Sequence, residues 1–263
     1  MRRSVILAVS MLAAVAAFAQ APPNSNQDVA VKKTKEGPGP KSSGEAQAVQ
    51  AVLQAQVPDD AIKAVDNLIT KYPDTDFKSF ALEREGEAYQ QKNDNNKAMV
   101  FAEQALQADP KNFDADNLLA NVLATITKEN SLQSVKDENL TKADKYAHDA
   151  LDALNGEKPW LYQEAQWVKV KAMATGQAYQ ALGNAALVRK KNDEAIADFQ
   201  KGVDASSDPL ITIRLARALA ASKKYDEAMN WDDKVINAAD TPAQFKSIAK
   251  SDKGRFELMA KSK

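Results

Sequence analysis

The sequence predicts an all-α fold, a solenoid of antiparallel helix hairpins. Three observations predict it. From about residue 44 onward the chain reads as helix, turn, helix, without strand signals. Its pattern of small and apolar residues repeats with a period near 34. Within three periods, a position on the first helix is followed twelve residues later by an alanine on the second: Val49 and Ala61, Gly86 and Ala98, Gly183 and Ala195.

The chain has 263 residues, with 35 Lys and Arg against 36 Asp and Glu. That is enough for one sizeable domain or an elongated array. A nucleic-acid binder usually carries a clear basic excess, which is missing here. There is no cysteine, so disulfides, thiolate catalysis and thiolate metal sites are excluded. The single histidine is His148.

The first residues read as an export signal. MRRSVILAVSMLAAVAAFAQA begins with Arg2 and Arg3, continues as an apolar run to Ala17, and ends in Ala17-Phe18-Ala19. The run is short for a membrane span, which needs roughly 20 residues. The expectation is a signal peptide at 1–19, cleaved near Ala19. Cleavage would leave 33 basic against 36 acidic residues, a net charge of −3. No later stretch is apolar enough for a stable span, so the mature chain is expected to be periplasmic or secreted. Residues 20–43 are rich in Pro, Gly, Ser, Asn and Lys, with almost no large apolar side chain. They are expected to be a disordered linker, because they cannot bury a core. Lys32, Lys33 and Lys35 within it could meet an anionic surface, or be simply solvated.

Residues 44–263 form the expected repeat domain. Hairpin 42–75 uses Val49 and Val52, then Ala61, Val65 and Leu68, and ends at Tyr72-Pro73. Hairpin 79–112 uses Leu82, Gly86 and Tyr89, then Ala98, Ala102 and Ala105, and ends at Asp109-Pro110. Residues 113–157 start with Leu119, Ala120 and Leu123 and resume with Ala143, Ala147 and Ala150. That spacing implies about eleven inserted residues, as a longer loop or as longer helices. Hairpin 176–209 runs from Tyr179, Leu182 and Gly183 to Ala195, Phe199 and Val203. Hairpin 209–241 opens with Pro209, a residue suited to the first helical position. Thr241-Pro242-Ala243-Gln244 is expected to be a capping box opening a terminal helix at 242–260. Its Lys246, Lys250, Lys253 and Glu257 suit a cap with one face in water.

The pattern of Tyr179-x2-Leu182-Gly183, Ala195-x3-Phe199 and a terminal proline resembles the tetratricopeptide repeat (TPR) family, and so does Gly86-x2-Tyr89 with Ala98 and Pro110. The resemblance implies a right-handed α-α superhelix. It also explains the small residues. Two helices of a hairpin approach to about 8–10 Å only over small side chains. Gly183 and Ala195 are therefore expected to face each other. A mid-helix glycine costs ~1 kcal/mol against alanine, which close packing can offset.

Residues 159–190 contain no strong breaker and read as one long helix, with Trp160, Trp167 and Val170 on one side. Those rings would pack against the third hairpin or form an exposed patch for a partner.

No phosphate loop, HExxH, GxSxG or calcium loop is present, so neither catalysis nor a cofactor or metal is expected. Asp59-Asp60 reads as a helix start. Asp232-Asp233 and Glu83-x-Glu85-x-Glu87 read as solvated faces, and His148 as a helix-surface residue. Members of the resembled family bind peptides or protein segments along a concave groove made by the first helices. By register, the residues facing it here are Glu83, Glu87 and Gln90, then Asn117 and Asn121, Gln180 and Asn184, and Arg214 and Arg217. Asn and Gln offer donors and acceptors to an extended backbone. The short basic signal and absence of cysteine suit an exported bacterial protein. The expected function is a non-enzymatic scaffold of the cell envelope that binds a protein or peptide. The alternative is a structural or assembly protein that self-associates or docks through helix 159–190.

Overall fold

The computed structural model describes residues 39–262. The expected signal, and the expected linker as far as residue 38, lie outside the described residues. The described residues form eleven helices and no strand. They are α1 (Ser43–Gln54), α2 (Pro58–Lys71), α3 (Lys78–Gln91), α4 (Asn95–Ala108), α5 (Phe113–Ile126) and α6 (Gln133–Asn155). The rest are α7 (Glu164–Val188), α8 (Asn192–Ser206), α9 (Pro209–Ala221), α10 (Tyr225–Asn237) and α11 (Ala243–Lys261). Two compact units result. The first holds the chain up to Ala115 together with Glu157–Trp167, and the second holds Asp116–Gly156 with Val168 onward.

Local chemistry sets the helix ends. Ser42 caps α1, its side chain accepting from the Glu45 N–H at 3.1 Å. Asp208 caps α9, its Oδ1 accepting from the Leu210 and Ile211 N–H groups at 2.7 and 3.1 Å. Each cap satisfies orphan donors of a first turn. Pro58 and Pro209 occupy first-turn positions, where their missing N–H costs nothing. Asp59 and Asp60 lie in the first turn of α2, as their spacing suggests. Three tight turns share one device. Asn93, Lys190 and Lys223 follow α3, α7 and α9 with φ of 62°, 61° and 62°, and the next N–H reaches back to Tyr89, Ala186 and Leu219. That is a left-handed helix stop closing the last turn.

In the first unit, Val49, Val52, Val65, Leu68 and Phe77 make the core between α1, α2 and α3. Ala98, Ala102 and Ala105 of α4 are fully buried and let α4 lie close to α3, where Phe101 also stacks on Tyr89 with centroids 5.3 Å apart. In the second unit, Phe199, Leu215, Leu219 and Phe256 form the largest cluster, and Ile213, Val235 and Ala249 a smaller one.

Several expectations change. The position a Cβ of Gly183 would take lies 2.6–2.9 Å from the Phe199 ring, so Phe199, rather than Ala195, fills the space opened by the glycine. A second close approach was not read from the sequence: a Cβ on Gly202 would lie 3.3 Å from the Gly176 carbonyl, so these two glycines let α7 and α8 touch. The insertion in the third hairpin mostly lengthens a helix. Ala98 and Ala195 are the fourth residues of α4 and α8, whereas Ala143 is the eleventh of α6.

The long helix expected over 159–190 is present but shorter, running Glu164–Val188 without a break at Gly176. α7 begins at Glu164, and Pro159 to Gln163 make a turn in which the Tyr162 N–H bonds the Pro159 carbonyl at 3.2 Å. Burial of the Tyr162 ring against Phe113 and Trp167 outweighs the weak helix preference of that stretch. The capping box is also absent. Pro242, not Thr241, is the cap residue of α11, so Gln244 falls at the second helical position instead of the third.

Finally, three carboxylates read as solvated are buried. Glu83, Glu85 and Asp232 are 4%, 2% and 0% exposed, because α3 and α10 are covered by neighbouring helices. Burial, then the Asp66 charge, pushes Glu85 up to about 7. Burial, then Asp252, does the same to Asp232, whose two oxygens lack hydrogen-bond partners.

Candidate interaction groove

The first unit carries a groove of about 1080 Å³. Its walls are the start of α3, the outer face of α4, the start of α5 and the turn Pro159–Tyr162. Phe80 and Leu82 come from α3, Val100 from α4, and Trp160, Leu161 and Tyr162 from the turn. Six carboxylates line it against two lysines, Lys78 and Lys111. The carboxylates are Asp74 and Asp76 in the turn before α3, Glu83 on α3, Glu103 on α4, Asp109 at the C-cap of α4, and Asp114 on α5.

The turn is held by aromatic contacts. Trp160 sets its edge against Phe77, with centroids 5.1 Å apart at 70°. Tyr162 lies 6.2 Å from Phe113 and 5.6 Å from Trp167. Such pairs contribute about 0.5–1.5 kcal/mol each beyond area burial. The Tyr162 hydroxyl donates to Asp114 Oδ2 at 3.3 Å, and the Lys158 ammonium bonds the Tyr162 carbonyl at 2.6 Å. Trp160 itself remains 47% exposed and Val100 49%. Both are large apolar side chains left in water at one groove.

Glu83, Glu87 and Asp114 crowd one another electrostatically. Burial raises Glu83 well above the usual carboxylate range, and the Glu87 and Asp114 charges add to it. Burial and Glu87 push Asp114 up to about 7, opposed by the Tyr162 hydrogen bond and by Arg84. Arg84 donates to Glu87 Oε2 at 2.5 Å. One guanidinium thus serves three carboxyl groups. Protonation relieves what remains, since like charges in low dielectric disfavour full ionisation. The Tyr162 phenol is raised for the same reasons, burial first.

The sequence-predicted groove residues divide between the units. Glu83 lines the groove and is buried, Glu87 pairs with Arg84, and Gln90 is half-buried near the end of α3. In the second unit the amides join helices to each other. Asn117 Nδ2 donates to the Ala174 carbonyl at 3.0 Å. Asn121 Nδ2 donates to the Gln177 carbonyl at 3.2 Å, and Gln180 Nε2 to Asn121 Oδ1 at 3.0 Å. Arg214 Nη1 donates to Asn184 Oδ1 at 3.0 Å, and Arg217 Nε to Asp252 Oδ2 at 2.5 Å. These side chains tie α5, α7, α9 and α11 together, and Asn117 and Asn184 are buried by it. The exposed groove chemistry instead comes from Trp160, Val100 and Glu103, of which only Trp160 carried a sequence signal. His148 is exposed on α6, its Nδ1 2.7 Å from the Asp144 carbonyl. Among the described residues no group of three or more His, Asp or Glu could hold a metal ion, and no helix is long and apolar enough to cross a membrane.

The tetratricopeptide repeat family model matches residues 81–112, which is α3 with α4. Among curated proteins none matches the chain significantly. The chain is similar in structure to a thermophilic TPR protein of Thermus thermophilus, at TM-score 0.59 and 15% identity, over 78% of this chain and 94% of that one. Weaker likeness is found to an assembly chaperone of RpL4 (Acl4), at TM-score 0.35, 14% identity, and 82% and 97% coverage. PilF of Pseudomonas aeruginosa gives TM-score 0.29, 18% identity, and 78% and 92% coverage. The last two superpose too poorly to bear on the fold. Folds of this type are generally non-catalytic scaffolds for protein partners. The chain carries a tetratricopeptide repeat at α3 and α4 and has the all-helical fold of a TPR protein.

Proposed function

We propose that this chain is a non-enzymatic interaction scaffold that holds an extended protein or peptide segment in the groove of its first unit. One observation carries the proposal: Trp160 stays half exposed beside Val100 at a groove rich in carboxylates, while its neighbours Tyr162 and Trp167 are buried. A rigid, partly exposed tryptophan in a concavity is the usual anchor of a binding interface. The carboxylates favour a segment that is cationic as well as apolar. The sequence of the first nineteen residues supports export, with action in the cell envelope or outside it after cleavage near Ala19. N-terminal sequencing of the mature protein checks that part.

The groove is tested by in-cell crosslinking and capture from the native host, comparing the parent with Trp160→Ala and Glu103→Lys. Glu103 is exposed, so its change leaves the core intact; Trp160 also packs on Phe77, so Trp160→Ala is compared only with helical circular dichroism matching the parent. A partner captured by the parent and lost from both variants supports the groove. Equal capture by all three overturns it. The amides Asn117 and Asn184 are unsuitable probes, because their removal weakens the second unit itself.

Docking or self-association through α7 is a second reading, favoured by Val168 and Met173, which are 69% and 36% exposed. Concentration-dependent sedimentation that vanishes in Val168→Glu, with groove variants unaffected, would select it.

A further inference from the structure

We propose that the stretch Val29–Lys35 of this same chain occupies the groove of the first unit and competes there with an outside partner. The inference rests on the reading of that groove as a binding site. The first described residues lie at the groove. The Gly39 N–H donates to Asp76 Oδ2 at 3.2 Å. Lys41 pairs with Asp76 Oδ1 at 3.5 Å and donates to the Asp74 carbonyl. Asp74 and Asp76 line the groove. The described chain therefore begins beside groove-lining residues.

The residues just before Gly39 match what the groove offers. Val29-Ala30-Val31-Lys32-Lys33-Thr34-Lys35 carries three lysines and two valines within seven residues. Of the six groove carboxyl groups, Glu83 and Asp114 are pushed toward their protonated forms and Asp76 already pairs with Lys41, which leaves Asp74, Glu103 and Asp109 for an incoming cation, with Trp160 and Val100 exposed. Lysine stems lie along apolar surface while their ammonium groups reach carboxylates, and an ammonium over an indole face gains further. Gly37-Pro38-Gly39-Pro40 supplies the turn chemistry needed for the chain to double back. Reach is sufficient: the ten residues from Val29 to Gly39 span up to about 35 Å when extended. Tethering adds an effective concentration on the order of millimolar, so even weak complementarity fills the groove. An outside cationic segment must then displace this stretch, and scaffold and inhibitor reside in one chain.

The chain has no cysteine, which permits a direct test. The full chain is made with Thr34→Cys and Gln107→Cys, Gln107 being an exposed groove residue on α4. A control pairs Thr34→Cys with Lys63→Cys, an exposed residue of α2 outside the groove. Under mild oxidation the groove pair is expected to close an intramolecular disulfide at least about tenfold faster than the control. Adding Lys32→Glu, Lys33→Glu and Lys35→Glu is expected to slow the groove pair to the control rate. These changes lie outside the described residues, and helical circular dichroism of each variant is required to match that of its parent. Equal rates for both pairs, or no effect of the charge reversal, overturn the proposal. So does a disulfide that forms only between molecules, which would assign the groove to a second copy. If capture of a partner depends on Trp160 while the two disulfide rates are equal, self-occupancy fails and the groove reading survives. If capture is indifferent to Trp160 and the rates are equal, both fail.

Discussion

Gly183→Ala isolates the contact that shapes the fourth hairpin. Alanine in a helix interior gains ~1 kcal/mol over glycine. At position 183, however, the new methyl carbon would lie 2.6, 2.7 and 2.9 Å from three atoms of the Phe199 ring. Phe199 is 0% exposed, so a rigid ring must move inside a filled core. Overpacking of this kind costs ~1–3 kcal/mol. The net expectation is a loss of about 0–2 kcal/mol. Gly254→Ala supplies the reference. Gly254 is an exposed position on α11 where a Cβ meets nothing within 4 Å, so it should show the helix gain alone. Urea unfolding followed by helical circular dichroism measures both, with an unchanged slope required for comparison. The two variants are expected to differ by about 1–3 kcal/mol, in opposite directions from the parent or nearly so. Adding Phe199→Leu to Gly183→Ala should cost less than the sum of the single changes, because each relieves the other. Gly183→Ala as stabilising as Gly254→Ala, with strict additivity in the double variant, would refute the claim that the Phe199 ring sets the spacing.

Lys190→Gly should raise stability by about 1 kcal/mol, since Lys190 holds φ 61° and a left-handed residue costs an L-amino acid about 1–2 kcal/mol; its exposed pair with Glu129 is worth little, and thermal unfolding reads the gain. Asp232→Asn should flatten the pH dependence of stability. The folded carboxyl, pushed up to about 7, keeps a proton that the unfolded chain, near 3.8, has released, so the parent loses stability as pH rises from about 4 to 7. At pH 8 the variant should exceed the parent by roughly 1–4 kcal/mol, and at pH 4 the two should be similar; urea titrations at both pH values decide it. Asn117→Ala should cost about 0.5–1.5 kcal/mol by losing the hydrogen bond from α5 to the Ala174 carbonyl, which keeps its partner within α7, measured by the same unfolding assay.

The buried amides show why part of the candidate site was illegible. Register along a helix places Asn117, Asn121 and Asn184 on the faces of first helices, and those faces do meet other first helices in the second unit. What register cannot tell is whether that face is open or already satisfied. Asn117 finds its acceptor 57 residues away at Ala174, and Asn184 finds its donor 30 residues away at Arg214. Trp160 posed the converse problem. Its neighbours read as helix, because nothing local opposes one. The turn exists because Tyr162 reaches Phe113 and Asp114 about fifty residues upstream.

Sequence alone determined the all-helical class, the 34-residue period and the positions of small residues that let paired helices approach, because those depend on neighbours three or four positions apart and on a unit repeated along the chain. It also showed several helix starts, through Asp59, Asp60 and Pro209. Only the tertiary structure decided which carboxylates lose their water, which ring fills the space over Gly183, and where Trp160 stands. Those are properties of surfaces that meet from distant parts of the chain, and burial at a contact, unlike helical propensity, is set by whatever lies on its other side.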